Sequence, residues 1–401
     1  MKIQRALLLF AGILALLSAG CTSGDPEALG SITEVEAPAP QSSGQPNLSI
    51  GPGGKIYLSW IETSDDRQAS LKFAMKTEQG WSESRTVAQS YNMFRNWADV
   101  PSLFELSDGV LAAHWQVSSS DADEGYSVNV AISKDEGKTW SAALTPHRDG
   151  GKGEHGFVSL APAPANSGVF VVWLDPRKLK DEVGDVALMQ TNLSLDGTLG
   201  EESEIDPRVC ECCQPTVTPI SGGMLAVYRD RSADEIRDIV ISRFDGSKWS
   251  EPKTVFDDKW QVYACPIQGP AISVLGSNVA VAWYTGANDK EKVQVALSKD
   301  GGITFGAPTT VDDGNPIGRV DIAALESGGA VVTWIEHTAN GGEVRARQVG
   351  SAGQKHEAHT VTKISVGNAS GYPRIERNGK EFVFAWTDTE GGRIRTAVGK
   401  P

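Results

Sequence analysis

The sequence predicts an all-β protein built as a β-propeller, and three observations carry that reading. Val, Ile, Ala, Phe and Trp alternate with period two throughout, and no stretch longer than about ten residues has the 3.6-residue apolar spacing of a helix. A strand ending in an aromatic residue recurs seven times: IYLSW at Trp60, LAAHW at Trp115, VFVVW at Trp173, MLAVY at Tyr228, VAVAW at Trp283, AVVTW at Trp334 and FVFAW at Trp386. Successive aromatics are 55, 58, 55, 55, 51 and 52 residues apart.

Each of these strands follows a turn signal: Gly53-Gly54, Asp108-Gly109, Ser167-Gly168, Gly222-Gly223, Ser277-Asn278, Gly328-Gly329 and Asn378-Gly379. Such pairs supply the positive φ of tight hairpins. Another apolar strand precedes each turn, and a third, such as VNVAIS, IVISR or VQVALS, follows the loop after the aromatic. Each repeat is then a three- or four-stranded antiparallel meander. A period near 50 residues points to propeller blades that bury their faces against one another. The aromatic series is therefore assigned to the core between blades. Seven blades are expected, with six as the rival count if one repeat packs outside the ring. The last repeat stops at Lys400 without an outermost strand, so the alternating segment Ser31 to Ala37 (SITEVEA) is expected to close the ring as an N-terminal strand.

From the N-terminus, Lys2 and Arg5 precede an apolar run from Ala6 to Leu17 that is too short to span a bilayer. It reads as a signal peptide. Its end, Leu17-Ser18-Ala19-Gly20-Cys21, resembles the lipobox of bacterial lipoproteins, which implies that residues 1–21 are a lipoprotein signal with Cys21 as the lipidated residue. Thr22, rather than Asp, follows Cys21, which implies an outer-membrane address in the cell envelope, on the periplasmic or surface face. Residues 22–45, rich in Pro, Ser, Gly and Ala, have the composition of a flexible tether, leaving 46–401 as a single propeller domain. Lys plus Arg number 37 against 51 Asp plus Glu, a formal charge of −14 that argues against a nucleic-acid partner. A monomer attached to the membrane through Cys21 is expected.

Ser133-Lys134-Asp135-Glu136-Gly137-Lys138-Thr139-Trp140 and Ser298-Lys299-Asp300-Gly301-Gly302-Ile303-Thr304-Phe305 resemble the Asp boxes of the sialidase (BNR-repeat) superfamily, with Ser242 to Trp249 and Ser194 to Gly197 as degenerate relatives. The resemblance spans roughly Pro46 to Lys400. It implies a propeller whose channel mouth holds a carboxylate-clamping Arg triad, a Tyr nucleophile assisted by Glu, and an Asp acid/base. Where the first-blade Arg motif F/Y-R-I-P is expected, this chain has Pro46-Asn47-Leu48-Ser49-Ile50, while Tyr372-Pro373-Arg374-Ile375 sits on the last repeat.

In an up-and-down meander, the starts of the innermost strands and the ends of the next strands lie on one face of the ring. The starts are Asp99, His155, Cys210 to Cys213, Cys265, Arg319, and Tyr372 with Arg374. The ends include Gln116, Asp175 with Arg177, Arg229-Asp230-Arg231, Tyr284 and Glu336, and the third strand of the fourth repeat adds Glu235, Arg237 and Asp238. Cys210, Cys265 and His155 each lie 18 residues before their repeat's aromatic, so they share one register. Two chemistries fit Cys210, Cys212, Cys213 and Cys265: disulfides that fix the mouth loops of an exported protein, or a copper or zinc site completed by His155.

Three functions follow. The first is a lipoprotein binding a ligand or soft metal at a mouth rich in Cys and Arg, with Arg229, Arg231, Arg237, Asp238, Arg319 and Arg374 as ligand-binding residues. The second is an exo-acting glycoside hydrolase of exo-α-sialidase type, with Tyr372 as nucleophile, Glu336 as its base, Asp99 as acid and Arg229, Arg237 and Arg374 as the clamp. The third is a protein-interaction scaffold. The sequence leaves enzyme and binder both open.

Overall fold

The computed structural model describes residues 28–119, 125–150, 153–164, 167–180 and 184–401. The signal segment and Cys21 lie outside the described residues. The chain folds as seven small sheets in a ring, a seven-bladed β-propeller. The innermost strands are Ser43–Ile50, Ser102–Ser107, Gly156–Pro162, Thr216–Ile220, Ala271–Leu275, Pro316–Ala324 and Arg374–Asn378, one per blade. The second strands carry the seven aromatics of the repeat.

Those aromatics form the core. Trp60, Trp173, Trp283 and Trp334 are fully buried, and Tyr228 and Trp386 nearly so. Each packs between neighbouring blades: Trp173 of the third blade lies against Val128, Val130 and Ile132 of the second, and Trp283 of the fifth against Leu225, Val227 and Ile239 of the fourth. A buried indole N–H needs an acceptor. For three of the four, acidic side chains provide it: Trp173 Nε1 donates to Asp175 Oδ2 (2.7 Å), Trp283 Nε1 to Asp258 Oδ2 (2.6 Å) and Trp334 Nε1 to Glu336 Oε2 (2.6 Å), while the Trp60 Nε1 has no partner among the described residues.

The ring closes as expected. Ser31–Val35 runs antiparallel to the last strand, Arg393–Lys400, with Ser31 opposite Lys400 and Val35 opposite Thr396. This joins two distant parts of the chain in one blade and covers the outer edge of Arg393–Lys400. Residues that composition assigned to the 22–45 tether are part of the fold from Ala28 onward. Leu29 is buried with Phe382 and Phe384, Ala28 N donates to Gln348 Oε1 (2.6 Å), and Ser43 already belongs to the first blade. An outermost strand needs only one apolar side, so Leu29 and Ile32 suffice to dock a segment otherwise polar and Pro-rich.

The Asp boxes are local hydrogen-bonded hairpins. Asp135 accepts from Ser133 Oγ (2.8 Å), Thr139 N (2.9 Å) and Thr139 Oγ1 (2.6 Å), and Asp300 accepts in the same way from Ser298, Thr304 N and Thr304 Oγ1. Gly137, at φ 79°, lies so close to Phe73 of the first blade that no β-carbon fits, and Trp140 meets the same ring edge-on. The box thus stitches one blade to the next, away from the mouth.

Candidate functional site

The central channel encloses a cavity of about 720 Å³ lined by the innermost strands of all seven blades. It runs from Gln214, Gly269 and Tyr372 at the mouth to Gly51, Pro52 and Gly222 at the hairpin-turn end. The mouth is bridged. Trp97, which leads into the second blade, stacks on Tyr372 of the seventh (ring centroids 6.2 Å apart) and under Arg319 of the sixth (4.7 Å). Tyr372 Oη donates to the carbonyl of Ile267, which precedes the fifth blade (2.6 Å). None of these blade pairs are neighbours in a seven-membered ring, so the contacts cross its axis. Sequence register places residues on the rim but carries no signal for pairing across the ring, so Trp97 and Ile267 have no counterpart in the repeat pattern.

The arginines of the rim are engaged with the protein itself. Arg229 is 1% exposed and donates to three carbonyls, Gln268 O (2.9 Å), Arg237 O (2.6 Å) and Tyr284 O (2.7 Å), with its guanidinium over Trp260. Arg237 is bound to Glu211 (2.9 Å) and Glu235 (3.0 Å), and Arg231 also pairs with Glu235 (2.8 Å). Arg319 donates to Gly367 O and Gly371 O, and Asp238 accepts the Lys259 and Trp260 N–H groups. Arg374 differs: it lines the channel, and its buried Nε has no partner among the described residues.

The residues read as catalytic sit apart. Glu336 accepts from Trp334 Nε1 and from Asn315 N (2.7 Å), whereas Tyr372 is committed to Ile267, so the two share no hydrogen bond. Asp99 is fully buried beside Gln116, whose Nε2 donates to it at 2.5 Å. Burial pushes its carboxyl up to about 7 against the opposing hydrogen bonds of the Phe157 N–H and Tyr126. A β-carbon at Gly156 would collide with that carboxylate, which fixes glycine there. Two acids in the channel had no motif to flag them, although strand alternation puts one of them on the face of Arg374. They are Glu376, raised to about 8 by burial and by Asp321, and Asp321 itself, raised by burial.

The cysteines separate from His155. Cys212 is disulfide-bonded to Cys265, with Cα atoms 6.1 Å apart, while Cys210 and Cys213 are free and buried. The Cys210 and Cys213 sulfurs are 2.7 Å apart, and Cys210 Sγ is 3.9 Å from Cys212 Sγ and 3.4 Å from Arg237 Nη1. Burial opposes ionisation of Cys210, but the hydrogen bond from Cys213, the Arg229 and Arg237 charges and the Cys212 N–H outweigh it and hold the thiol below its ordinary range. Burial and the neighbouring Cys210 push Cys213 up.

His155 forms a second cluster with His147 and Asp149, neither of which shares the repeat register. The two imidazoles stack at 3.7 Å, and Asp149 faces both, 3.2 Å from His147 Nδ1 and 2.9 Å from His155 Nε2. Val128 N donates to His147 Nε2 (3.4 Å), which leaves the proton on Nδ1 facing Asp149. That proton occupies the position a metal ion would take, so His147 and His155 fit a carboxylate-linked pair better than a ligand set.

These features define a propeller with Asp-box hairpins and a bridged, thiol-bearing mouth. The family model for a BNR repeat-like domain matches residues 54–243, from the first blade into the fourth. It is similar to a protein of unknown function from Dyadobacter fermentans DSM 18053, at 15% identity over 92% of this chain and 99% of that one, with a TM-score of 0.51. It is also similar to the GH93 α-L-arabinofuranosidase of Fusarium graminearum solved with arabinobiose (14% identity, 93% and 98% covered, TM-score 0.51). A third likeness is to the Penicillium chrysogenum α-L-arabinanase, also with arabinobiose (12%, 92% and 98%, TM-score 0.50). At these identities the likeness is one of fold. No curated protein sequence matches the chain.

Proposed function

We propose that the chain is an envelope-anchored propeller lipoprotein that holds a soft, thiophilic ion, monovalent copper being the best fit, on Cys210 and Cys213. The observation that carries this is the pair of free, buried thiols beside the channel, one of them next to a guanidinium group. Thiolate pairs select soft ions. Structural zinc takes four ligands, and here Cys212 is held in a disulfide while His155 points at Asp149. A copper(I) dithiolate would carry one net negative charge, which Arg237 and Arg229 offset. Anchoring rests on the lipobox at Cys21. Fractionation and copper(I) titration of the same preparations test both halves. Cys21→Ser is expected to move the chain to the soluble fraction with its copper site intact. Cys210→Ser is expected to stay on the membrane and lose the site, and equal copper affinity in Cys210→Ser would end the proposal.

A second reading, an exo-acting glycoside hydrolase, draws on Glu376, an acid kept protonated near neutral pH in a channel of sugar-binding size beside Asp321 and Arg374. The arabinose-linked neighbours give aryl arabinofuranosides, and the Asp-box resemblance gives sialosides, as the substrates to try. Hydrolysis lost in Glu376→Gln would support it, and no turnover of either would retire it.

A further inference from the structure

The four cysteines of the propeller are arranged for more than holding an ion. Cys210 and Cys213 have C-x-x-C spacing, and Cys212, which lies between them in the chain, is bonded to Cys265, 53 residues further on. Cys210 therefore faces a thiol on one side, at 2.7 Å, and a disulfide sulfur on the other, at 3.9 Å. Cys210, Cys212 and Cys213 are buried, whereas Cys265 is exposed. A thiolate is the attacking species in disulfide exchange, and Arg237 Nη1 lies 3.4 Å from Cys210 Sγ to stabilise one.

We propose that these residues form an internal thiol–disulfide relay, with Cys265 as its port to solvent and external disulfides as its substrates. In the first step the Cys210 thiolate attacks Cys212 Sγ; a Cys210–Cys212 bond forms, the Cys212–Cys265 bond breaks, and Cys265 leaves as a thiolate at the surface. Cys213, deprotonated, then attacks Cys210 Sγ, forming Cys210–Cys213 and releasing Cys212 as a thiolate. The two thiol protons of the starting pair pass to Cys212 and Cys265, and no oxidant is needed, because one disulfide has only changed places. The surface Cys265 thiolate can now attack an external disulfide, forming a mixed disulfide and expelling one thiolate. Cys212 attacks Cys265 Sγ, expels the second thiolate and restores Cys212–Cys265. The chain ends with two disulfides, and the external disulfide has gained two electrons to become two thiols. Burial of the first pair keeps those electrons from leaking except through Cys265.

The relay shares with the copper reading only the need for free Cys210 and Cys213 thiols. Its test uses the full chain without metal, alkylated with N-ethylmaleimide under native conditions, digested and mapped by mass spectrometry. Wild type is expected to show label on Cys265 and Cys212 with a Cys210–Cys213 disulfide. Cys213→Ser should stall at Cys210–Cys212 with label on Cys265 alone. Cys210→Ser should label Cys265 at least about tenfold more slowly, since nothing inside attacks its bond. With the aromatic disulfide 5,5′-dithiobis(2-nitrobenzoate), wild type is expected to release two thiolates per chain and finish with two disulfides. Labelling of Cys265 no faster in wild type than in Cys210→Ser, with Cys212–Cys265 the only disulfide recovered, would overturn the relay. The Cys212→Ser/Cys265→Ser double variant separates the two proposals. It cannot relay but keeps the copper(I) ligands, so copper binding there alongside a failed wild-type relay leaves the function standing, and a working wild-type relay in a chain that binds no copper leaves the relay standing.

Discussion

Arg229→Ala is expected to destabilise the protein by at least about 3 kcal/mol, read as a shift in the urea unfolding midpoint at pH 7. The guanidinium satisfies three carbonyls from separate segments, Gln268 before the fifth blade, Arg237 within the fourth and Tyr284 at the end of a strand of the fifth. Truncation strands those acceptors at a site where the side chain is 1% exposed. Each unsatisfied buried polar group costs about 1–3 kcal/mol, and water entering the space recovers part of the sum. Loss of the Trp260 contact adds to it. Arg229→Lys should recover less than half, because an ammonium cannot reproduce a planar fork with three separated acceptors. A midpoint change equivalent to less than about 1 kcal/mol in Arg229→Ala would show that the three bonds are not a structural clamp.

Glu376→Gln has an expected effect of similar size, but it is absent near pH 4.5 and grows as pH rises towards 8. Burial and Asp321 raise the folded carboxyl to about 8 from its ordinary 4.5. In that window the native state binds the proton that the unfolded state has released. The stability contributed by this group is therefore fully present below the unfolded value and is lost as pH rises towards 8. Glutamine keeps the shape and removes the titration. The variant should match wild type near pH 4.5 and exceed it at pH 9 by about 2–4 kcal/mol, the upper figure being nearly the whole shift at 1.36 kcal/mol per unit. Glu376 lines the channel, and water there reduces the gain. A difference between the two proteins that does not change with pH would place the proton elsewhere.

The legible part of this protein is what the repeat itself encodes. A residue every 51 to 58 positions that must fill the space between two blades is forced to be large and apolar, so the Trp series marks blade number and core together. Closure by Ser31–Val35 was legible because the last repeat lacks its outer strand. The register of Cys210, Cys265 and His155 predicts one shared end of the ring; the cysteines meet through Cys212–Cys265, whereas His155 joins His147 and Asp149 instead.

What the chain does across the ring could not be read in this way. Trp97 under Arg319, and Tyr372 on Ile267, join blades that are far apart in sequence and in ring order. The rim arginines look like a carboxylate clamp because sequence shows the charge and not its direction. In the folded chain Arg229 and Arg319 cap backbone carbonyls, and Arg231 and Arg237 face Glu211 and Glu235. His155 was separated from the cysteines by His147 and Asp149, which arrive from an irregular loop with no periodic position.

On the proposed reading, Cys210 and Cys213 are a working thiol pair beside a disulfide, Cys212–Cys265, that reaches the surface. The most direct measurement is a combined thiol and metal count on the protein purified anaerobically without chelator. Two thiols after denaturation, one disulfide and about one soft metal ion per chain are the expected result. Two disulfides and no metal in the freshly isolated protein, with no ion bound after selective reduction of the Cys210–Cys213 pair, would contradict it.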